Sequence, residues 1–268
     1  MKVKYIVKQL LPPIIINLVR KLLNPNSGGF KRGFKSWNHA SSNSTTYNTS
    51  EVFQKTLNAA RLVRDGKAAY ERDSVLFDKV QYDWKLLSSL MLIANIQNKL
   101  NVVDFGGALG TSFIQNKKFL DILQIPKKWA VVEQSEFVRI GKSEFQTDTL
   151  VFLKSLSEVN FDVDVVLLGG SLCYIEHAYR VLDEIKNLSP KFILIVRTPF
   201  SDLSDDEISL QIVPKNIYDA SYPIWTFSEP KLLAYFSDNY FLFEQWEDDL
   251  QADKDAVAKG FLFIKKSD

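Results

Sequence analysis

The chain has 268 residues, 46% hydrophobic, 13% aromatic and 24% charged, which excludes a disordered or fibrous protein and allows one substantial α/β core. One cysteine, Cys173, and two histidines exclude a disulfide framework and a structural zinc site; they point to a reducing, cytoplasmic setting and to no metal. The net charge of +1 hides an asymmetry: residues 1–50 hold eight Lys or Arg and no acid, so the remainder, with 25 basic and 32 acidic residues, is about −7.

In chain order, the basic start flanks an apolar run from Leu10 to Leu23. That composition suits an anionic membrane surface, contacted through residues 1–35, or a helix packed on the domain. Pro12, Pro13, Asn17 and Arg20 interrupt the run, which falls short of the ~20 apolar residues needed to cross a bilayer. Lys21, lying where a cleavage region would fall, argues against a signal peptide. Asn24 to Ser50 reads as a loop or partly ordered linker, although Phe30, Phe34, Trp37 and Tyr47 argue against complete disorder. Helices are expected from about Ser50 to Arg64 and from Tyr82 or Asp83 to Lys99. In the second, Trp84, Leu87, Leu90, Met91 and Ala94 form a core-facing stripe. Residues 51–100 thus read as a helical cap between the basic arm (1–50) and a Rossmann-like domain (101–268).

From Asn101, short apolar runs alternate with helical stretches, the pattern of βαβ units and a mostly parallel sheet. Strands are predicted at Val102 to Phe105, Trp129 to Glu133, Val163 to Leu168, Phe192 to Arg197, Tyr240 to Trp246 and Gly260 to Lys265. A further short strand is expected near Phe145 or Thr149, and the last two strands should form an antiparallel hairpin at the sheet edge. Because the body is net acidic, a nucleic-acid partner is disfavoured.

The chemistry is concentrated in Val102-Val103-Asp104-Phe105-Gly106-Gly107-Ala108-Leu109-Gly110-Thr111, a buried strand running into a glycine turn that opens a helix. Gly106, Gly107 and Gly110 let backbone approach a ligand, and Asp104 ends the strand beneath them. The spacing is G-G-x-x-G, not the G-x-G-x-x-G of dinucleotide sites, and Asp104 would repel phosphate and attract an ammonium. Trp129 to Glu133 is the next strand, and its terminal carboxylate stands where a Rossmann-like fold accepts both ribose hydroxyls of an adenosine. Ala108 and Gln134 complete the immediate cofactor candidates.

These segments resemble class I methyltransferases that use S-adenosylmethionine, whose first motif looks like D-x-G-x-x-x-G. More narrowly, Phe30 to Gly33 with Ser36-Trp37, Asp104 to Gly110, Val131 to Gln134, Leu167 to Tyr174, and Ile217-Tyr218 with Ser221 to Trp225 resemble a family of bacterial methyltransferases associated with surface-polysaccharide loci. The resemblance covers most of the chain. It implies a seven-stranded sheet with S-adenosylmethionine as donor, the three glycines near its amino-acid part and Glu133 on its ribose.

At the carboxyl edge of the fourth strand, Gly170 and Ser171 are expected to border the methionine moiety, while His177 is a candidate base and Tyr174 a candidate for orienting an acceptor. A solvated His177 and a packed Tyr174 are the plainer alternatives. Arg197 closes the fifth strand before Thr198-Pro199, which should turn the chain out of the sheet; its guanidinium suits an anionic substrate group or a structural ion pair. Tyr222 and Trp225, in an expected recognition insertion near residues 200–230, are candidates for stacking on a sugar or for a hydrophobic cap. The expected activity is O-methylation of a glycan or glycolipid precursor, by an enzyme at the inner face of the membrane. Two alternatives remain: a catalytically silent binding domain, and an NAD-dependent nucleotide-sugar enzyme, which would favour G-x-G-x-x-G and Tyr-x-x-x-Lys, both absent.

Overall fold

A computed structural model describes residues 28–45, 49–72, 74–214, 220–248, 252–253 and 255–267. The run Leu10 to Leu23, the basic residues before it and Ile217 to Asp219 lie outside the described residues, as do the side chains of Tyr47, Ser50 and Glu51. In chain order, β1 (Gly29–Lys31) and α1 (Trp37–Ser41) precede α2 (Thr49–Arg64), the hairpin β2 (Tyr70–Arg72) and β3 (Val75–Phe77), and α3 (Trp84–Gln97). Then follow β4 (Leu100–Phe105), α4 (Thr111–Leu120), β5 (Lys127–Val132), α5 (Ser135–Ile140), β6 (Leu150–Leu153), β7 (Val165–Gly169), α6 (Ala178–Asn187) and β8 (Phe192–Ser201). The chain ends with β9 (Glu207–Ile212), β10 (Ser221–Ser228), α7 (Glu229–Phe236), β11 (Tyr240–Glu247) and β12 (Val257–Lys265).

The main body is a Rossmann-like sheet in the order β6-β5-β4-β7-β8-β12-β11. The first five strands are parallel, and the β11–β12 hairpin closes antiparallel onto β8. The side-chain period of two sends Val102, Val165, Leu167 and Leu194 to one face, where they pack with Leu86, Leu90 and Ile93. Val103, Val166, Leu168 and Ile193 face the other way, against Leu182, Ile185 and Phe236. Both faces are covered, which is why these strands read as continuous apolar runs.

Among the described residues the sheet has ten strands, not seven. β8 outruns β7: the two pair up to Gly169↔Val196, after which Phe200 and Ser201 pair with Phe227 and Ser228 of β10. Phe200 also pairs with Val257, so β10 takes the flank that β7 has left. β9 and β1 extend β10 antiparallel. Residues 29–31 are therefore a strand of the sheet and not a linker, and the expected recognition insertion is built as sheet.

The helices Thr49–Arg64 and Trp84–Gln97 fall where they were expected, and the β2–β3 hairpin occupies the gap between them. Two further expectations are corrected. Trp84 is 62% exposed, since it occupies the first position of α3 and projects beyond the core, with its ring against Tyr82 and Phe119. Thr198-Pro199 does not leave the sheet: the pairings Lys259↔Thr198 and Phe261↔Ile195 leave Gly260 opposite both Val196 and Arg197, a β-bulge that absorbs the bend while Pro199 stays opposite Ala258. Among the described residues no helix is long and apolar enough to cross a membrane.

Candidate functional site

The site lies at the carboxyl edge of β4, β5 and β7, where open α/β sheets bind ligands. The turn after β4 is anchored by the Gly106 N–H, which donates to the Val132 carbonyl at 2.9 Å, and by the Gly110 N–H, which donates to the Gly107 carbonyl at 2.9 Å. Its shape demands glycine at two points. A Cβ on Gly107 would stand 2.5 Å from the Asp104 carboxyl carbon, and one on Gly106, whose φ is +72°, would stand 2.5 Å from Ser171 Cβ. Ser171 Oγ donates to the Phe105 carbonyl at 2.6 Å, so the loop after β7 is fastened directly to the glycine turn.

Two carboxylates face this turn. Asp104 is buried, and burial pushes its carboxyl up to about 7; the Trp129 indole N–H, donating at 3.1 Å, and the charge of Arg197 pull it down, while Glu133 adds to the rise. Glu133 follows the last residue of β5. Burial raises its pKa too, opposed by the backbone N–H groups of Gln134, at 2.5 Å, and Ala108. Ala108 has a φ of +50°, a left-handed conformation that costs a side-chain-bearing residue energy, and its N–H serves Glu133. A carboxylate has about four lone-pair sites, so two such donors leave acceptor capacity for vicinal hydroxyls. Gln134 contributes through its backbone; its side chain is exposed.

Arg197 sits in the β8 bulge with a φ of +54°. Its Nη2 donates to the Gly169 carbonyl at 2.6 Å, and its guanidinium lies against Gly170. Beyond Ser171 the chain runs to β9 and β10. Tyr174, 43% exposed, donates its hydroxyl to Gln211 at 2.9 Å and meets the Tyr222 ring edge-on at 5.3 Å. Trp225 stacks on Trp37 at 5.8 Å and donates its indole N–H to the Ile175 carbonyl at 3.0 Å. His177 is the N-cap of α6, and among the described residues its side chain makes no capping bond. His177 and Trp225 share a cavity of about 370 Å³ with Phe227, Tyr179, Arg180 and Lys231.

The structure thus brings Asp104, the glycine turn, Ala108, Glu133, Ser171 and Arg197 together, whereas His177 and Trp225 line a cavity that no residue of the glycine turn borders. Sequence reasoning missed Trp129 as the donor to Asp104, Asp248 as the acceptor of the Arg197 N–H, and Glu71, whose carboxylate accepts from Thr111 Oγ1 at 2.5 Å. Only Trp129 carried a signal, as a polar-tipped aromatic inside a buried strand.

No family model and no curated protein matches the chain. Among solved structures it is similar to the 1,6-didemethyltoxoflavin-N1-methyltransferase of Burkholderia thailandensis (14% identity, 84% of this chain and 92% of that one, TM-score 0.43). It is also similar to the glycopeptide N-methyltransferase MtfA complexed with S-adenosyl-L-methionine (12%, 66% and 93%, TM-score 0.45) and to the N-methyltransferase NodS of Bradyrhizobium japonicum (10%, 69% and 97%, TM-score 0.43). At such identities and scores the site must be read from this chain's own residues.

Proposed function

We propose that the chain is an S-adenosylmethionine-dependent methyltransferase that methylates an oxygen of a glycan or glycolipid precursor. The observation that carries the cofactor is Glu133, held by the Ala108 N–H at the mouth of a glycine turn with Asp104 buried beneath. Glu133 would accept the ribose hydroxyls, and Asp104 would face the ammonium of the amino-acid end. A dinucleotide fits this set poorly, because Asp104 opposes a pyrophosphate.

When bound, the cofactor supplies an electrophilic methyl group for in-line displacement by the acceptor oxygen. The chain's own task is positioning and proton removal. Gly170 and Ser171 border the methionyl end, and the aromatic wall of Tyr174, Tyr222 and Trp225 offers flat faces to a sugar ring. His177 is our candidate to take the hydroxyl proton, with Tyr174 orienting the acceptor; this requires an acceptor that reaches from the His177 cavity to the glycine turn. The basic arm is the proposed membrane contact, although Arg32 is already committed to Asp253 at 2.6 Å and Asp255 at 2.7 Å.

Calorimetric titration of the purified chain with S-adenosylmethionine, S-adenosylhomocysteine and NAD tests the cofactor. Micromolar binding of the first two, lost in Glu133→Ala, is expected; binding of NAD alone overturns the reading. Methylation of a soluble small metabolite, with glycan lipids ignored, would remove the acceptor assignment.

A further inference from the structure

We propose that Arg197 holds the carboxylate of the cofactor's amino-acid end, forming with Asp104 a two-point clamp for a zwitterionic α-amino acid. The proposal rests on the reading of the cofactor as S-adenosylmethionine.

The backbone gives the first reason. Arg197 is the extra residue of a bulge and has a φ of +54°, a region that side-chain-bearing residues occupy at a cost. The conformation is held by Asp248, whose Oδ2 accepts the Arg197 N–H at 2.7 Å while its Oδ1 accepts the Trp246 indole N–H at 3.1 Å. Bulges of this kind re-aim a side chain beside a site. Here the guanidinium is sent over Gly169 and Gly170: a Cβ on Gly170 would lie 3.5 Å from Nη2, and one on Gly169 would lie 4.0 Å from Nη2 and 3.9 Å from Ser112 Oγ. Arg197 therefore occupies the gap between the end of β7 and the first turn of α4.

Charge gives the second. Among the described residues Arg197 makes no ion pair, and of its five N–H donors only one has a partner, the Gly169 carbonyl at 2.6 Å. Asp248 spends its carboxylate on a backbone N–H and an indole. Arg197 is half-buried, so its charge is poorly hydrated as well as unpaired. The nearby N–H groups opening α4 add to the same positive potential. A phosphate satisfies Arg197 but is repelled by Asp104, whose carboxyl feels the Arg197 charge. An α-amino acid presents both signs one carbon apart: its ammonium matches Asp104, and its carboxylate matches Arg197 and Ser112.

Arg197→Gly provides the test, because glycine adopts the positive φ without strain and the variant should fold; Arg197→Lys keeps the charge but loses the planar fork. Each full-length variant is titrated with S-adenosylhomocysteine, which has the amino-acid end, and with 5′-methylthioadenosine, which lacks it. We expect Arg197→Gly to weaken S-adenosylhomocysteine by about tenfold to a hundredfold, the scale of a lost charge-assisted hydrogen bond, and to leave 5′-methylthioadenosine within about twofold. Arg197→Lys should fall between. Unchanged S-adenosylhomocysteine binding in Arg197→Gly, or equal losses for both nucleosides, overturns the clamp and returns Arg197 to an acceptor or structural role. If the wild-type chain binds neither nucleoside, the cofactor reading itself fails and the clamp with it.

Discussion

Cofactor affinity should fall in mild acid, because Asp104 must be ionised to face an ammonium and its carboxyl is held at about 7 by burial. The ionised fraction is about three-quarters at pH 7.5 and about one in eleven at pH 6, and apparent affinity scales with that fraction. On the alkaline side an α-amino group ordinarily loses its proton near 7.7–8.0. Affinity for S-adenosylhomocysteine should therefore peak near pH 7.5 and be roughly fivefold to tenfold weaker at pH 6. Calorimetry at pH 6 in buffers of different ionisation enthalpy should show nearly one proton released per site. Asp104→Asn should bind weakly at every pH, without the acid limb. The same carboxyl affects the free protein in the opposite sense: between about 3.8 and about 7 the native state keeps a proton that the unfolded chain has lost, so stability falls as pH rises through that window. Affinity that is flat from pH 6 to 7.5, or an acid limb that persists in Asp104→Asn, would refute the assignment.

Other outcomes follow from single contacts. Trp129→Phe removes the donor to Asp104, so the acid limb of cofactor binding should move to higher pH, read by the same titrations. Gly107→Ala places a methyl against the Asp104 carboxyl and should cost about 1–3 kcal/mol in denaturant unfolding while abolishing detectable cofactor binding. Asp248→Asn leaves one oxygen where the Arg197 and Trp246 N–H groups now have two; a loss of about 1–3 kcal/mol is expected in the same assay. Tyr240→Phe deletes a buried hydroxyl that donates to the Pro190 carbonyl at 2.9 Å, far from the site, and should cost about 0.5–1.5 kcal/mol with cofactor affinity unchanged.

The parallel strands were legible because burial on both faces leaves uninterrupted Val, Ile and Leu runs; β4, β5, β7 and β8 fall where those runs are. The cradle was legible for a related reason: Gly106 and Gly107 mark backbone that side chains would obstruct. What stayed hidden depends on pairing between distant segments. β1 is three residues among Ser, Asn and Gly, and becomes a strand only because β9 offers Gly29↔Ile212 to Lys31↔Leu210. The β8 bulge is likewise set by its register with β12, and the local sequence Arg197-Thr198-Pro199 predicts a chain exit instead. Trp84 shows the limit of helical periodicity, since the stripe has the right phase but its first member projects beyond the core.

The pairing of β1 with β9 also bears on how the molecule assembles. Gly29 meets Ile212 across about 180 residues of chain, so this closure carries a high entropic cost and must await the β9–β10 pair it docks on. Held by few ladder bonds, it should form late and be among the first contacts to reopen. Since Trp37 follows β1 and lies on Trp225, each such opening would uncover the aromatic wall while the glycine cradle, inside the parallel sheet, stays folded. Hydrogen exchange should then separate the molecule into a slow half around the glycine cradle and a fast half around Trp225, with the amides of residues 29–41 in the fast one.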